Sequence, residues 1–412
     1  MNTRLTLLVM LAFAGSAVPA ETPPKEPPAW ASTVPFTAVE RFVERVPFEF
    51  RHNKIWLEVV LGGKPRKLVF DTGSPTLLDA ALAEELGLEI IDRTVSTDAH
   101  GARVENGVAL LDTLTLGELA IHDVPVFVHD LSKTSIGGCL IDGVLGSEIL
   151  PVGNWRIDVE AGILTVASDR AALDIAEGAE TAGLHVFGYP YTPYFAMQFE
   201  NGMESKAMFD TGSAELFALC PPELASLEEH RGFKRQRRIH GYGSIGESLG
   251  GLAPAADLTK VRLQELAAGG VQLGEVVATL RPLAPSLLGA DVLRHFVVTL
   301  AYPEGKAYFE RRDGRPRALP TFGFGPAFSA DSVTAAFVWE GSSAWHAGLR
   351  AGDRVVRIDD VDLESVPPDE RCRVVREVMK VLGENDTVKL SFEGEDGPRT
   401  AGIRKESPDL RP

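Results

Sequence analysis

Apolar positions in this chain follow the two-residue period of strands far more often than the period of helices. Residues 55–61 and 194–200 are apolar segments. Each is followed by a turn, Gly62-Gly63 or Asn201-Gly202, and then by a second apolar segment. Glycine and Asn-Gly accept the positive φ that a tight turn requires, so each stretch predicts a β-hairpin. Alternation returns at residues 110–116 and 124–128, and a further strand pair is expected across residues 155–166. Residues 95–108 are polar and glycine-punctuated, the pattern of a long hairpin with its tip at Ala99-His100-Gly101-Ala102. Helical spacing is confined to short stretches. One is residues 77–88, with Leu78, Ala81, Leu82 and Leu86 on one face and Gly87 as the stop.

The two hairpins end alike, in Phe70-Asp71-Thr72-Gly73-Ser74 and in Phe209-Asp210-Thr211-Gly212-Ser213. The offset is 139 residues and holds without a gap back to Ile55 and Tyr194, twenty aligned positions in all. Downstream, Val144-Leu145-Gly146 matches Leu287-Leu288-Gly289 and Gly162 matches Gly305, both at an offset of 143, so the second copy carries a few extra residues. A repeat of about 130 residues is far longer than a solenoid unit. It predicts two similar β lobes, residues 46–168 and 183–312, each supplying one aspartate. The second lobe's hairpin tip is expected at residues 239–246, where His240-Gly241, followed by Tyr242, stands opposite His100-Gly101. Formally residues 241–246 read G-x-G-x-x-G, but no apolar strand precedes them and no helix follows, so a dinucleotide site is not supported.

Beyond Thr321 the pattern changes. Phe322-Gly323-Phe324-Gly325, a strand at 333–339, Gly341-Ser342-Ser343-Ala344, Ala347-Gly348-Leu349, Gly352-Asp353, a strand at 354–358, an amphipathic helix at 369–382 and two last strands predict a separate small α+β unit, residues 320–406, behind a linker at 316–320.

Composition adds limits. The chain has 412 residues, 44% hydrophobic and 24% charged, which is ordinary globular material. A net charge of −17 argues against nucleic acid or an anionic membrane as partner. The basic run at residues 234–238 reads as a solvated loop, because no aromatic residues interleave with it. Cys139, Cys220 and Cys372 cannot form a disulfide framework. One bridge would leave one thiol over, and the reading adopted is buried free cysteines. Residues 1–20 carry Arg4, a short apolar run and Ser16-Ala17-Val18-Pro19-Ala20, the pattern of a cleavable export signal. The run falls short of the roughly 20 apolar residues of a membrane span. An exported protein, periplasmic or secreted, is expected, with residues 21–45 as a proline-rich tether. No cofactor or metal motif is present.

Two aspartates at equivalent positions of duplicated lobes are expected to face each other across a pseudo-two-fold axis. Close carboxylates cannot both ionise cheaply, so they share a proton. The ionised member can take a proton from water while the protonated member donates to a carbonyl oxygen, which is acid/base hydrolysis of an amide. Gly73 and Gly212 let the two loops approach, Thr72 and Thr211 can bond across the axis, and Ser74 and Ser213 can donate to the carboxylates.

On these motifs residues 46–312 resemble the pepsin and retropepsin superfamily of aspartic proteases, as though two retropepsin-like units were fused. The resemblance implies a mainly β bilobal fold, Asp71 and Asp210 as catalytic dyad, and Gly146 and Gly289 in the motif that props the active-site loops. It leaves open which lobe's hairpin is the flap, the one with His100 and Gly101 or the one with His240, Gly241 and Tyr242. The C-terminal unit resembles a bacterial PDZ domain, which implies Phe322-Gly323-Phe324-Gly325 as a carboxylate-binding loop for peptide termini. Duplication within one chain points to a monomer rather than an obligate dimer. The function implied is an exported aspartic endopeptidase acting on peptides or proteins, its PDZ domain recruiting substrate or gating the cleft. The alternative is a non-catalytic peptide-binding adaptor.

Overall fold

The structure is a computed structural model that describes residues 28–134, 137–229, 233, 238–312, 320–329 and 332–407. The expected export signal, the start of the tether, four residues of the basic run (234–237) and most of the 316–320 linker lie outside these. Arg238, the described member of that run, pairs with Glu228 at 2.7 Å.

The chain is mainly β. In lobe one, strand Lys54–Leu61 pairs antiparallel with Lys64–Phe70, from Ile55 opposite Phe70 to Leu61 opposite Lys64. Gly62 and Gly63 close the turn, both at positive φ. In lobe two, Pro193–Phe199 pairs with Glu204–Asp210 in the same way. Each second strand then lies parallel to a short strand from the repeated apolar-apolar-glycine block, Gly143–Leu145 or Ser286–Gly289. These parallel neighbours carry Asp71 and Asp210 out of the sheets at corresponding points.

A shared sheet joins the lobes. Asn154–Asp158 of lobe one pairs antiparallel with Phe296–Ala301 of lobe two, and Arg156 stands opposite Thr299. Those residues are equivalents at the 143-residue offset, so the pseudo-two-fold axis passes through this pair. Arg156 also meets Glu310, and Arg312 reaches Asp158 at 2.6 Å, ion pairs that cross the seam at low exposure. One apolar core runs through both lobes, with Trp155, Phe70, Phe195, Phe209 and Phe309 fully buried.

Two local expectations are corrected. Residues 77–88 are not helical throughout: Leu77–Asp79 is a strand and only Ala80–Glu85 is helix. Leu77 and Leu78 satisfy helical spacing equally well, but pairing with Phe127–His129 and Val144 buries them more completely. Nor are residues 21–45 simply a tether. Ala29–Ser32 forms a helical turn whose Trp30 donates to Asp92 at 2.8 Å and rests edge-on against Phe127 and Tyr189, and the first strand begins at Val43. The proline content masked one large aromatic anchor.

The C-terminal unit has its own core, in which Val374, Val375 and Val378 of helix Arg371–Glu384 pack against Phe324, Val355, Leu390 and Ile403. It does not stand apart from the lobes. Its strand Val333–Trp339 pairs antiparallel with Ile239–Gly243 of lobe two, so one sheet runs through both. On the other side, Cys372 is disulfide-bonded to Cys139 of lobe one, which corrects the reading of free thiols; Cys220 is free and buried. Arg376 donates to the Cys139 carbonyl at 3.2 Å, one helical turn beyond the bridge. The cysteines lie 233 residues apart, a pairing that spacing cannot reveal.

Closing so long a loop restricts the unfolded chain, and Cys372→Ser is expected to destabilise the C-terminal unit by about 2–4 kcal/mol in urea titrations. Dithiothreitol should bring the wild type to the mutant's midpoint and leave the mutant unmoved. Equal midpoints without reductant would show that the bridge contributes nothing.

Candidate active site

Asp71 and Asp210 sit at the ends of equivalent strands, on loops locked to each other across the axis. The Thr72 hydroxyl donates to Phe209 O at 2.6 Å and accepts the Thr211 N–H at 3.1 Å. The Thr211 hydroxyl donates to Phe70 O at 2.7 Å and accepts the Thr72 N–H at 3.0 Å. Both threonines are fully buried, so these bonds satisfy groups that water cannot reach. Gly73 and Gly212 are required by space. A Cβ on Gly73 would stand 2.5 Å from Asp210 Cγ, and one on Gly212 would stand 2.1 Å from Asp71 Oδ2.

Each carboxylate accepts a backbone N–H of its own loop, Gly73 to Asp71 at 2.9 Å and Ser213 to Asp210 at 3.1 Å. The serine hydroxyls do not take the expected part. Ser74 Oγ donates to the Pro75 carbonyl at 2.8 Å, and at Ser213 the backbone is the donor. Burial, and then the adjacent charge of Asp71, push Asp210 up to about 8, with Lys54 opposing. One proton is therefore held in the pair through neutral pH.

The loops are propped from beneath. A Cβ at Gly146 would lie 2.2 Å from the Pro75 carbonyl carbon, and one at Gly289 2.1 Å from Glu215 O. Ser147 N–H donates to Ser74 O, and its equivalent Ala290 N–H to Ser213 O, both at 2.8 Å. Two acids follow that sequence reasoning missed. Glu148, fully buried, accepts the Thr76 N–H at 2.8 Å. Asp291 accepts from Asn53 at 3.1 Å, and Asn53 also donates to Ala214 O and accepts from Arg294, which ties the lobe-one hairpin to lobe two. Glu148 and Asp291 are equivalents at the same 143-residue offset as the glycines before them, a signal that was present in the sequence. Burial pushes Glu148 up to about 7 and Asp291 up to about 6.

The dyad lies on a cavity of about 1840 Å³. Over it come two hairpin tips, one from each lobe. The lobe-one tip lies between strands Asp92–Thr97 and Arg103–Leu116, with His100 and Gly101 in the turn. The lobe-two tip is Leu249-Gly250, between Glu247–Ser248 and Gly251–Leu252. The tips bond to each other: Gly250 N–H donates to Asp98 Oδ2 at 3.0 Å, while Asp98 Oδ1 accepts from His100 and Ala102 of its own turn. Leu249 packs on lobe one beside Leu77, Phe127 and Leu131.

His240, Gly241 and Tyr242 are therefore not the lobe-two tip. They belong to strand Ile239–Gly243, flanked by Ala256–Ala268 and by Val333–Trp339 of the C-terminal unit. Lobe two has gained residues before its hairpin tip, so the 140-residue match of His-Gly pairs was coincidental. Among the residues of the expected carboxylate loop, Phe322 and Phe324 are buried in the C-terminal core. Gly323 N–H is bonded to Thr321 Oγ1 at 3.1 Å and its carbonyl to Trp339 N–H, and Gly325 pairs with Phe337 in the sheet. Phe337, Trp339 and Met379 of this unit line the cavity that holds the dyad.

Comparison with known proteins agrees with lobe one. The family model described as aspartyl protease matches residues 57–149, which take in the first hairpin, the Asp71 loop and the Gly146 block. Together with the two joined β lobes, this gives a fold of the aspartic-protease type. Among solved structures, the aspartic proteinase from Irpex lacteus aligns over 66% of this chain and 98% of its own, at 13% identity and a TM-score of 0.41. No curated protein sequence matches the chain.

Glu148 supplies a stability test. Its raised folded-state pKa means that the fold holds a proton the unfolded chain releases, so its contribution is present below the ordinary value of 4.5 and is lost as pH rises to about 7. Glu148→Gln is expected to match the wild type near pH 4 and to exceed it by about 3 kcal/mol at pH 8 in urea titrations. A constant difference at both pH values would refute a buried, protonated Glu148.

Proposed function

We propose that this chain is an exported aspartic endopeptidase that hydrolyses peptide bonds with water activated between Asp71 and Asp210. The observation that carries the reading is the pair itself: two aspartates on mutually bonded loops, open to one large cavity, with Asp210 raised by burial and by the adjacent charge of Asp71. In this arrangement Asp71, ionised, accepts a proton from water while Asp210 donates its own to the scissile carbonyl oxygen. The hydroxide adds to the carbon, and the resulting diol collapses as Asp71 gives its proton to the leaving amine and Asp210 takes one back from a diol hydroxyl, which breaks the C–N bond, forms the acid and restores the pair. The N–H donors of Gly73 and Ser213 favour charge on the carboxylates and keep their orientation. The paired flap tips would exclude water once a peptide lies beneath them.

The C-terminal unit is read as a PDZ-type module that gates the cleft. Its strand Val333–Trp339 extends lobe two's sheet, its helix is bridged to lobe one, and Phe337, Trp339 and Met379 are among its residues that line the cavity. These features favour gating over recruitment. Export rests on the residue 1–20 pattern and accords with the disulfide. No helix among the described residues is long and apolar enough to cross a membrane.

Asp71→Asn and Asp210→Asn are each expected to lower kcat/KM on a denatured protein substrate by at least about 10³-fold with the fold intact, because either removes the shared-proton pair. In the wild type, kcat/KM should fall as pH rises through about 8, where Asp210 gives up its proton. Cleavage that persists in both mutants would sink the proposal.

A further inference from the structure

We infer that Arg281 makes the lobe-two half of the cleft a subsite for an acidic side chain, so that substrates with Asp or Glu at one position beside the scissile bond are preferred. The inference rests on the hydrolase reading and names its substrate class.

Arg281 follows strand Val271–Leu280 and opens the short loop that leads into Ser286–Gly289, the strand beside Asp210. Its backbone N–H donates to Leu219 O at 2.9 Å. One guanidinium nitrogen donates to Pro285 O at 2.6 Å, so the loop folds back onto its own cation. The side chain is half-buried and lines the cavity with Asp71 and Asp210. Among the described residues no carboxylate lies within ion-pair distance of it; Asp210 acts on it through space, and its side-chain hydrogen bond goes to Pro285 O. A guanidinium has five N–H donors in a planar fork that matches a carboxylate. Leaving such a cation partly desolvated with no carboxylate in direct contact is unfavourable, and an incoming carboxylate relieves that with two charge-assisted bonds.

The other cations of the cavity are placed differently. Lys260 lies over the Trp339 ring at 4.6 Å, Arg262 pairs with Glu275 at 3.5 Å, and Lys54 stands at the lobe-one hairpin, where its charge opposes the rise of Asp210. The internal repeat gives the site a direction. By strand register, Leu280 in lobe two stands where His129 stands in lobe one, so Arg281 takes the place of Asp130, a cation where the other lobe has an acid. Asp130 does not line the cavity, and the lobe-one half of the cleft is walled by Leu131, Leu140 and Ile141. The two sides of a bound peptide thus meet an apolar wall and a cation. The lobe-one flap roofs the cationic side: a Cβ on Gly101 would touch Leu283 Cδ1 at 3.6 Å, two residues from Arg281.

The test uses the full chain and C-terminally amidated fluorogenic peptides that carry Glu, Gln, Leu or Lys at each position around one scissile bond. The wild type is expected to prefer Glu over Gln at a single position by about tenfold or more in kcat/KM, the scale of a charge-assisted hydrogen bond. In Arg281→Gln that ratio should fall to about one, whatever the overall rate, and Arg281→Lys should restore part of it. Equal cleavage of Glu and Gln peptides at every position, or a ratio that survives in Arg281→Gln, overturns the inference. If the wild type cuts nothing, the hydrolase reading fails separately. The same peptides titrated by fluorescence anisotropy against Asp210→Asn, with and without Arg281→Gln, then decide the subsite: an Arg281-dependent preference for Glu supports it, and equal affinities overturn it.

Discussion

Two aspartates repel when ionised, and the structure holds them together with four hydrogen bonds between Thr72, Thr211 and the carbonyls of Phe70 and Phe209. These bonds lie on the axis between the lobes and are shielded from water, where each is stronger and an unmade one is costly. They require glycine at the next position, because a Cβ on either side would enter the opposite carboxylate. The dyad geometry is thus set by the backbone and hydroxyl chemistry beside the acids, and the acids are carried along with it.

The support beneath is alike in plan and unlike in detail. Glu148 has Thr76 as its partner, and one of its oxygens is buried without one, whereas Asp291 is met by Asn53 with Arg294 nearby. Burial raises both carboxyls. Duplicated positions have kept their place in the fold while their partners diverged. The same divergence sets Arg281 across from an apolar wall of Leu131, Leu140 and Ile141 and gives a nearly symmetric cleft two unequal sides.

The C-terminal unit links a hairpin strand of lobe two to the loop of lobe one that carries Cys139. Movement of that unit would therefore strain both rims of the cleft at once. This mechanical arrangement depends on a sheet that crosses between units and on a bridge between distant cysteines.

The bilobal β architecture, the hairpins that carry Asp71 and Asp210, and the glycines at 73, 146, 212 and 289 were legible in the sequence, because a gapless repeat and a two-residue apolar period are local patterns. Glu148 and Asp291 were legible too, had the repeat been followed two residues further. What only the tertiary structure decided involves contacts between distant segments: the strand at Leu77–Asp79, the true lobe-two tip at Gly250, the pairing of Gly241 with Trp339, and the Cys139–Cys372 bridge. Spacing along the chain records which face a residue shows. It does not record which remote edge or thiol that face will meet, since that is settled by how the lobes and the third unit close on one another.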